Sequence, residues 1–460
     1  MRKTLRRSCD ACAKSKLACD LQTPRCSRCA KRNSTCAYAN QPLSVAIEDG
    51  TTSPQTKTSP TNSDNSAVTL INPGIQSFDP FDTHPQTRLP RPYVQRLIQH
   101  FLSQITFQYY PLDLDITSNP FVVYWWPLAL ADPTLFHVSL QTASLDLDLR
   151  AQEGFAKSEI LMADSVSLVR RKITNPREAL QDETLNSIIT LAAIEYGKGN
   201  TDVSALHIDG VKRLVQLRGG IQKVKSQSPL TARMVAWVSM VVTQTPQFKI
   251  QDDRGSDDGI APIPQWHEAS NNPHDLNNPL LDPDIEDVFS RLHNLFDSSK
   301  YTLSSTDLHD LTCYVVHRLL HWPPQPQPDD LLRDLSTSGI VRYGMILYML
   351  ILQGPTYFSH ARLQYAITLK LQAQMEHNWL KMLSNHGSLA LWLLSVGMVA
   401  SEGTPEEQWF IEQTRIAAVA LSLNFPDDFE LHLREIIWLD SPIAASLFQQ
   451  KWLNLYVIST

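Results

Sequence analysis

From about Arg91 onward, apolar residues recur at helical spacing. Tyr93, Leu97, Ile98, Phe101, Leu102 and Ile105 share one face of a predicted helix. Leu185, Ile188, Ile189, Ala192, Ala193 and Tyr196 form a second stripe, and Met234, Trp237, Val238, Val241 and Val242 a third. Ile285, Val288, Phe289, Leu292, Leu295 and Phe296 follow Asp282, a predicted N-cap, and Pro283 in the first turn. Leu308, Leu311, Val315, Val316 and Leu319 make a fifth stripe. Gly219-Gly220 supplies a stop after Arg218. Alternating strand patterns are scarce, so residues 91–460 read as one large all-helical domain. Gln251 to Leu281, rich in Pro, Asn and Asp, reads as a long surface loop. The most apolar runs, Tyr343 to Leu352 and Ser388 to Ala400, fall short of the roughly 18 to 20 residues a membrane-spanning helix needs. They read as buried helices, and no membrane partner is expected.

The first 90 residues follow other rules. From Thr51 to Ser66, fourteen of sixteen residues are Ser, Thr, Pro, Asn or Gln, too little apolar surface to offset ordering entropy. Residues 41–90 therefore read as a flexible linker. Pro42, Gly50, Pro54 and Pro60 interrupt any coiled coil, which leaves a homodimer to the large domain.

Six of the seven cysteines fall between positions 9 and 36, spaced Cys9-x2-Cys12-x6-Cys19-x6-Cys26-x2-Cys29-x6-Cys36. The unit Cys-x2-Cys-x6-Cys occurs twice. Six thiols at this spacing are metal ligands or a disulfide framework. Disulfides suit small secreted scaffolds, and Met1 to Arg7 contains no apolar signal run, so metal is the better reading. Soft thiolates select zinc, copper(I) or iron–sulfur clusters, and zinc prefers four ligands. One zinc would leave two thiols over. Two zincs need eight ligand positions, so two sulfurs must bridge, and the repeat makes Cys9 and Cys26 the natural bridges. A segment this short cannot build an apolar core, so the metal is expected to fold it rather than to catalyse.

Charge sharpens the division. Residues 1–40 hold ten Lys and Arg against Asp10 and Asp20, or +8, while the whole chain carries −7. The remaining 30 Lys and Arg against 45 Asp and Glu give −15. A basic head on an acidic body is the footprint of a nucleic-acid reader with a separate regulatory portion. Arg2, Lys3, Arg6 and Arg7 form an arm suited to phosphate binding or nuclear import.

The cysteine pattern resembles the fungal binuclear zinc cluster of transcription regulators, together with Asp10 after the first cysteine, Pro24 before Cys26 and Tyr38 after Cys36. The resemblance implies two zinc ions on Cys9, Cys12, Cys19, Cys26, Cys29 and Cys36. It implies a short helix in the major groove of double-stranded DNA, with a basic residue four positions after the second cysteine reading a CGG triplet. Lys16 holds that position, with Lys14, Arg25, Arg7, Arg28, Lys31 and Arg32 as phosphate contacts. Ala13 and Ala18 depart from the family, which usually carries Arg or Lys there. A second resemblance, to the fungal-specific transcription factor domain, rests on two stretches. These are His207-x2-Gly210-x3-Leu214-x2-Leu217-Arg218-Gly219-Gly220, and Leu391-Trp392-Leu393-Leu394 through Gln408-Trp409-Phe410 to Trp438. Such domains often stand behind zinc clusters in regulators of secondary metabolism.

The expected organisation is mainly α: a zinc-cluster head at 1–40, a linker at 41–90 and a helical regulatory domain at 91–460. The expected function is a nuclear, sequence-specific regulator of RNA polymerase II transcription that partners DNA and the transcription machinery. The rival is a zinc-dependent protein-interaction scaffold. No phosphate loop or Gly-x-Ser-x-Gly nucleophile elbow is present, so no enzymatic activity is expected. Cys313, inside an apolar helix, reads as buried and inert, and His309, His317 and His321 as core or surface residues without a ligand set. Trp392, Trp409 and Trp438 read as core.

Overall fold

The computed structural model describes residues 10–15, 27–32, 84–151, 155–251, 258–269, 281–297, 301–322, 337–356 and 360–457. The chain divides into two units, 1–75 and 76–460. Most of the segment read as linker lies outside the described residues. Its end does not: the His84 ring stacks on Phe136 at 5.6 Å and Arg88 binds Asp164, so residues 84–90 pack within the second unit.

In the first unit, two five-residue helices, Asp10–Lys14 and Ser27–Lys31, touch each other. The first begins two residues before Cys12. Isolated helices this short are unstable in water, so something other than backbone hydrogen bonding must hold them.

The second unit is helical, and among its described residues the only β-pairing is an isolated bridge between Ile250 and Ile260. The helix Asp182–Gly197 is at the centre of its first half. It packs against Pro133–Ala151, Ala156–Ile173, Thr201–Leu217 and Pro229–Thr243. Every residue from Thr184 to Glu195 is buried, not only the stripe that periodicity marks. Two of its small polar residues are buried at little cost because they bond back to their own helix. Ser187 Oγ donates to the Glu183 carbonyl and Thr190 Oγ to that of Asn186. The Gly219-Gly220 stop is present: the Thr201 helix ends at Leu217 and both glycines take positive φ, +90° and +94°.

Thr337–Gln353 plays the central part in the second half, buried from Ser338 to Gln353 and packed on Pro283–Asp297, Ser305–Leu320, Ala361–Asn385 and Gly387–Ala400. Asp282 caps the Pro283 helix through the Asp284 N–H, as its sequence position predicts. The Pro229 and Ser305 helices pack together and join the halves.

Two local readings change. The first stripe is broken by a π-turn at Phe101–Ile105, so Phe101 and Ile105 are buried while Leu102 is only partly so. Within Gln251 to Leu281, residues 258–269 are not a surface loop. They form a short helix, Pro264–Glu268, whose fully buried Trp266 lies under the guanidinium groups of Arg291 and Arg318. Single-residue polarity conceals this because the anchor is one tryptophan among Pro, Asn and Asp.

Trp392 shows how tightly the second half is packed. It is fully buried, its ring lies 5.6 Å from that of Tyr348, and its Nε1 donates to the Ile437 carbonyl at 2.9 Å. A Cβ on Gly344 would stand 2.8 Å from the Trp392 ring and 2.4 Å from Leu393, so only glycine fits opposite them. Trp392→Ala is expected to lower the stability of the body by about 3–5 kcal/mol, read from denaturant unfolding. Trp392→Phe should cost less. An alanine variant that unfolds with the wild type would show that the cavity collapses.

Candidate nucleic-acid interface

The two short helices carry the same chemistry in the same order, Asp-Ala-Cys-Ala-Lys and Ser-Arg-Cys-Ala-Lys. At 3.6 residues per turn, positions two apart point about 200° from each other. A cysteine facing inward therefore puts the lysine two positions on to the outside. The structure has this arrangement: Cys12 and Cys29 are each 2% exposed, while Lys14 and Lys31 are exposed. Each helix ends in a single closing bond, Ser15 N–H to the Ala11 carbonyl and Arg32 N–H to the Arg28 carbonyl, both 3.1 Å.

Arg28 and Arg32 are also exposed, so the second helix and the residue that follows it present three cations. Ser15, which cysteine spacing does not single out, is exposed beside Lys14 and adds a hydroxyl that can donate to a phosphate. Of the expected ligands and contacts, Cys12, Cys29, Lys14, Arg28, Lys31 and Arg32 are therefore placed. Cys9, Cys19, Cys26 and Cys36, with Arg7, Lys16 and Arg25, lie outside the described residues.

The fit to metal rests on burial. Among the side chains of the first unit whose burial is described, the buried ones are Cys12 and Cys29. Two buried thiols on facing short helices are placed as metal ligands would be. Zinc bound there supplies charge-compensated thiolates and the cross-link between helices. This chain's own residues then set the outward face: cations at Lys14, Arg28, Lys31 and Arg32.

The histidines and the seventh cysteine behave differently. Cys313 is buried, and burial pushes its thiol up to about 12, which keeps it protonated and unreactive. His309 and His317 are fully enclosed in the same helix, whereas His321 caps its end. Among the described residues no three His, Cys, Asp or Glu side chains form a metal-holding group. No helix among them is long and apolar enough to cross a membrane. Trp392 and Trp438 are buried and Trp409 packs partly buried against the core.

Comparison with known proteins agrees with this geometry. Residues 7–44 match the fungal Zn(2)-Cys(6) binuclear cluster domain, and residues 96–252 match the fungal specific transcription factor domain. The second match includes the His207–Gly220 stretch and stops short of the one from Leu391 to Trp438. The chain thus carries a segment matching the two-zinc binuclear cluster domain ahead of one matching the fungal specific transcription factor domain. It is 33% identical over 81 residues to the geodin cluster transcription factor of Aspergillus terreus. That alignment covers 17% of this chain and 34% of the relative, so the chain spans about a third of the relative's length. No solved structure matches.

Proposed function

We propose that the chain is a nuclear, sequence-specific regulator of RNA polymerase II transcription, with a DNA-binding head at 1–40, a linker that starts at 41 and ends before His84, and a regulatory body from there to 460. The observation that carries this is the inward-cysteine, outward-lysine arrangement repeated in two helices. It turns a metal-held unit into a cationic surface. Cys9, Cys12, Cys19, Cys26, Cys29 and Cys36 hold the two zincs. The body, with its own core, controls the head and meets the transcription machinery. The name of the Aspergillus relative supports control of a secondary-metabolite gene cluster.

In this reading Lys16 reads a CGG-like triplet, because a lysine can donate to guanine O6 and N7 in the major groove. Lys14, Arg7, Arg25, Arg28, Lys31 and Arg32 meet phosphates. The roles separate in measurement. Lys16→Ala should weaken binding to CGG-containing DNA by about 1–3 kcal/mol while leaving random DNA nearly unaffected. Lys14→Ala should weaken both and flatten the salt slope by about one unit. Equal losses for Lys16→Ala on both DNAs, with zinc content intact, would remove the base-reading role. A protein that retains no DNA even at low salt would point to the protein-interaction scaffold instead.

A further inference from the structure

A cavity of about 730 Å³ opens in the first half of the body, where the helices starting at Asp182, Pro229 and Ser305 begin side by side. Its volume lies in the range of small-molecule sites. The walls are of two kinds. Tyr110, Tyr124, Leu128 and Leu230 offer ring and aliphatic surface, while Asn186, Thr231 and the Ser304–Thr306 turn offer hydrogen bonds.

Of the charged side chains at the cavity, Asp182 and Arg233 are paired, while Asp113 accepts from the Asp115 N–H and the Ser118 hydroxyl. Asp182 accepts from Arg218 at 2.5 Å and from the Ser228 hydroxyl. Arg233 is held by both oxygens of Asp310, at 2.8 and 3.2 Å. An anionic ligand would therefore find no free cation among these lining residues, and burying it unpaired is costly.

Asn186 is different. It is 1% exposed, and its Nδ2 donates to Thr231 Oγ1 at 3.1 Å, while its Oδ1 has no hydrogen-bond partner. Turning the amide over would satisfy Oδ1 and orphan Nδ2 instead. In either orientation one buried polar atom of Asn186 is left over, and such atoms are rare without a reason. A ligand hydroxyl can donate or accept, so it completes both orientations. Tyr124, 65% exposed at the same cavity, is a large ring left in solvent where a flat ligand could cover it.

We propose that this cavity binds an uncharged aromatic compound carrying a hydroxyl group, with the hydroxyl on Asn186 and the ring against Tyr110 and Tyr124. Control of transcription by such a compound rests on the regulator reading. The binding itself is measured without DNA, so either can fail alone.

The test is calorimetric titration of the purified full-length, zinc-loaded protein with 2-naphthol, using naphthalene and 2-naphthoate as competitors. The expected result is saturable binding at one site, with little competition from the anion and weaker competition from the hydrocarbon. Asn186→Leu should weaken 2-naphthol about tenfold or more. Ser305→Trp, a change at a half-buried position on the rim, should abolish binding while leaving the thermal unfolding of the body unchanged, which keeps the test decisive if Asn186→Leu folds poorly. Absence of saturable binding up to the solubility of 2-naphthol would overturn the proposal, as would wild-type affinity in Ser305→Trp. Equal affinity for naphthalene would overturn the role of Asn186.

Discussion

Stripping zinc from the full-length protein is expected to unfold the N-terminal unit, abolish DNA binding and leave the helical body folded. The two described helices of that unit are five residues each, far below the roughly 12–15 at which isolated helices become even marginal. Cys12 and Cys29, the expected ligands described there, are both buried, so losing the metal would leave the thiols at the centre of these helices without their bonds. Apparent binding energies for structural zinc in finger peptides, about 10–16 kcal/mol, exceed anything else available to so small a unit. The body has a separate apolar core and no described metal-holding group. The measurement is metal content, proteolysis and DNA retention before and after chelation, with Cys29→Ser as the genetic counterpart. Two zincs per chain should fall toward zero, trypsin should cut within the first unit, and the unfolding midpoint of the body should stay put. A chelated protein that still binds DNA with unchanged affinity would sink the idea that metal folds the head.

The head was legible in sequence because its chemistry is written in spacing. A thiol every few residues has few physical explanations, and two copies of the same spacing restrict them further. The body was legible as helix for the same reason of periodicity. Five stripes lie within described helices, and the Gly219-Gly220 stop falls where a positive φ is required. What periodicity could not show is how many sides of a helix are covered. The Asp182 and Thr337 helices are enclosed by several neighbours, which depends on partners far away in the chain. Trp266 escaped notice because a single aromatic anchor has no period. The cavity escaped for a related reason: Tyr110, Tyr124, Asn186, Thr231 and Ser305 come from separate segments, and none belongs to a motif.

Acid should destabilise the body in two separate windows, the first set by three buried histidines. Burial holds His309, His317 and His360 each at about 4, against an ordinary value near 6.5. The surroundings explain why the neutral form is kept. His309 lies between the Tyr110 and Trp237 rings, with centroids at 5.7 and 5.5 Å. Asp310 favours its charged form and Gln353 assists, but burial outweighs them, and Arg233 and Lys225 add to it. His317 Nδ1 contacts the Cys313 carbonyl at 2.7 Å, consistent with an N–H there, while Nε2 has no partner, so a second proton would have no acceptor. His360 stands edge-on to Trp237, with Gln364 as its polar neighbour. Between about pH 6.5 and 4 the unfolded chain takes up protons at these positions and the folded body does not. Stability is therefore full above about pH 6.5, falls with pH through that window and stops falling from this cause below about 4. Each histidine contributes on the order of 3 kcal/mol at most. The carboxylates act lower. Asp310 is held below its ordinary range, burial opposing but Arg233 and Lys225 prevailing, so its share is lost only as pH falls beneath that range. Denaturant midpoints measured from about pH 7.5 to about pH 4.5 should fall steadily in the wild type. His309→Phe, which keeps a ring between Tyr110 and Trp237 and removes the titration, should flatten that fall by roughly a third. A wild-type midpoint that does not move across the window would show that these histidines gain their protons inside the fold.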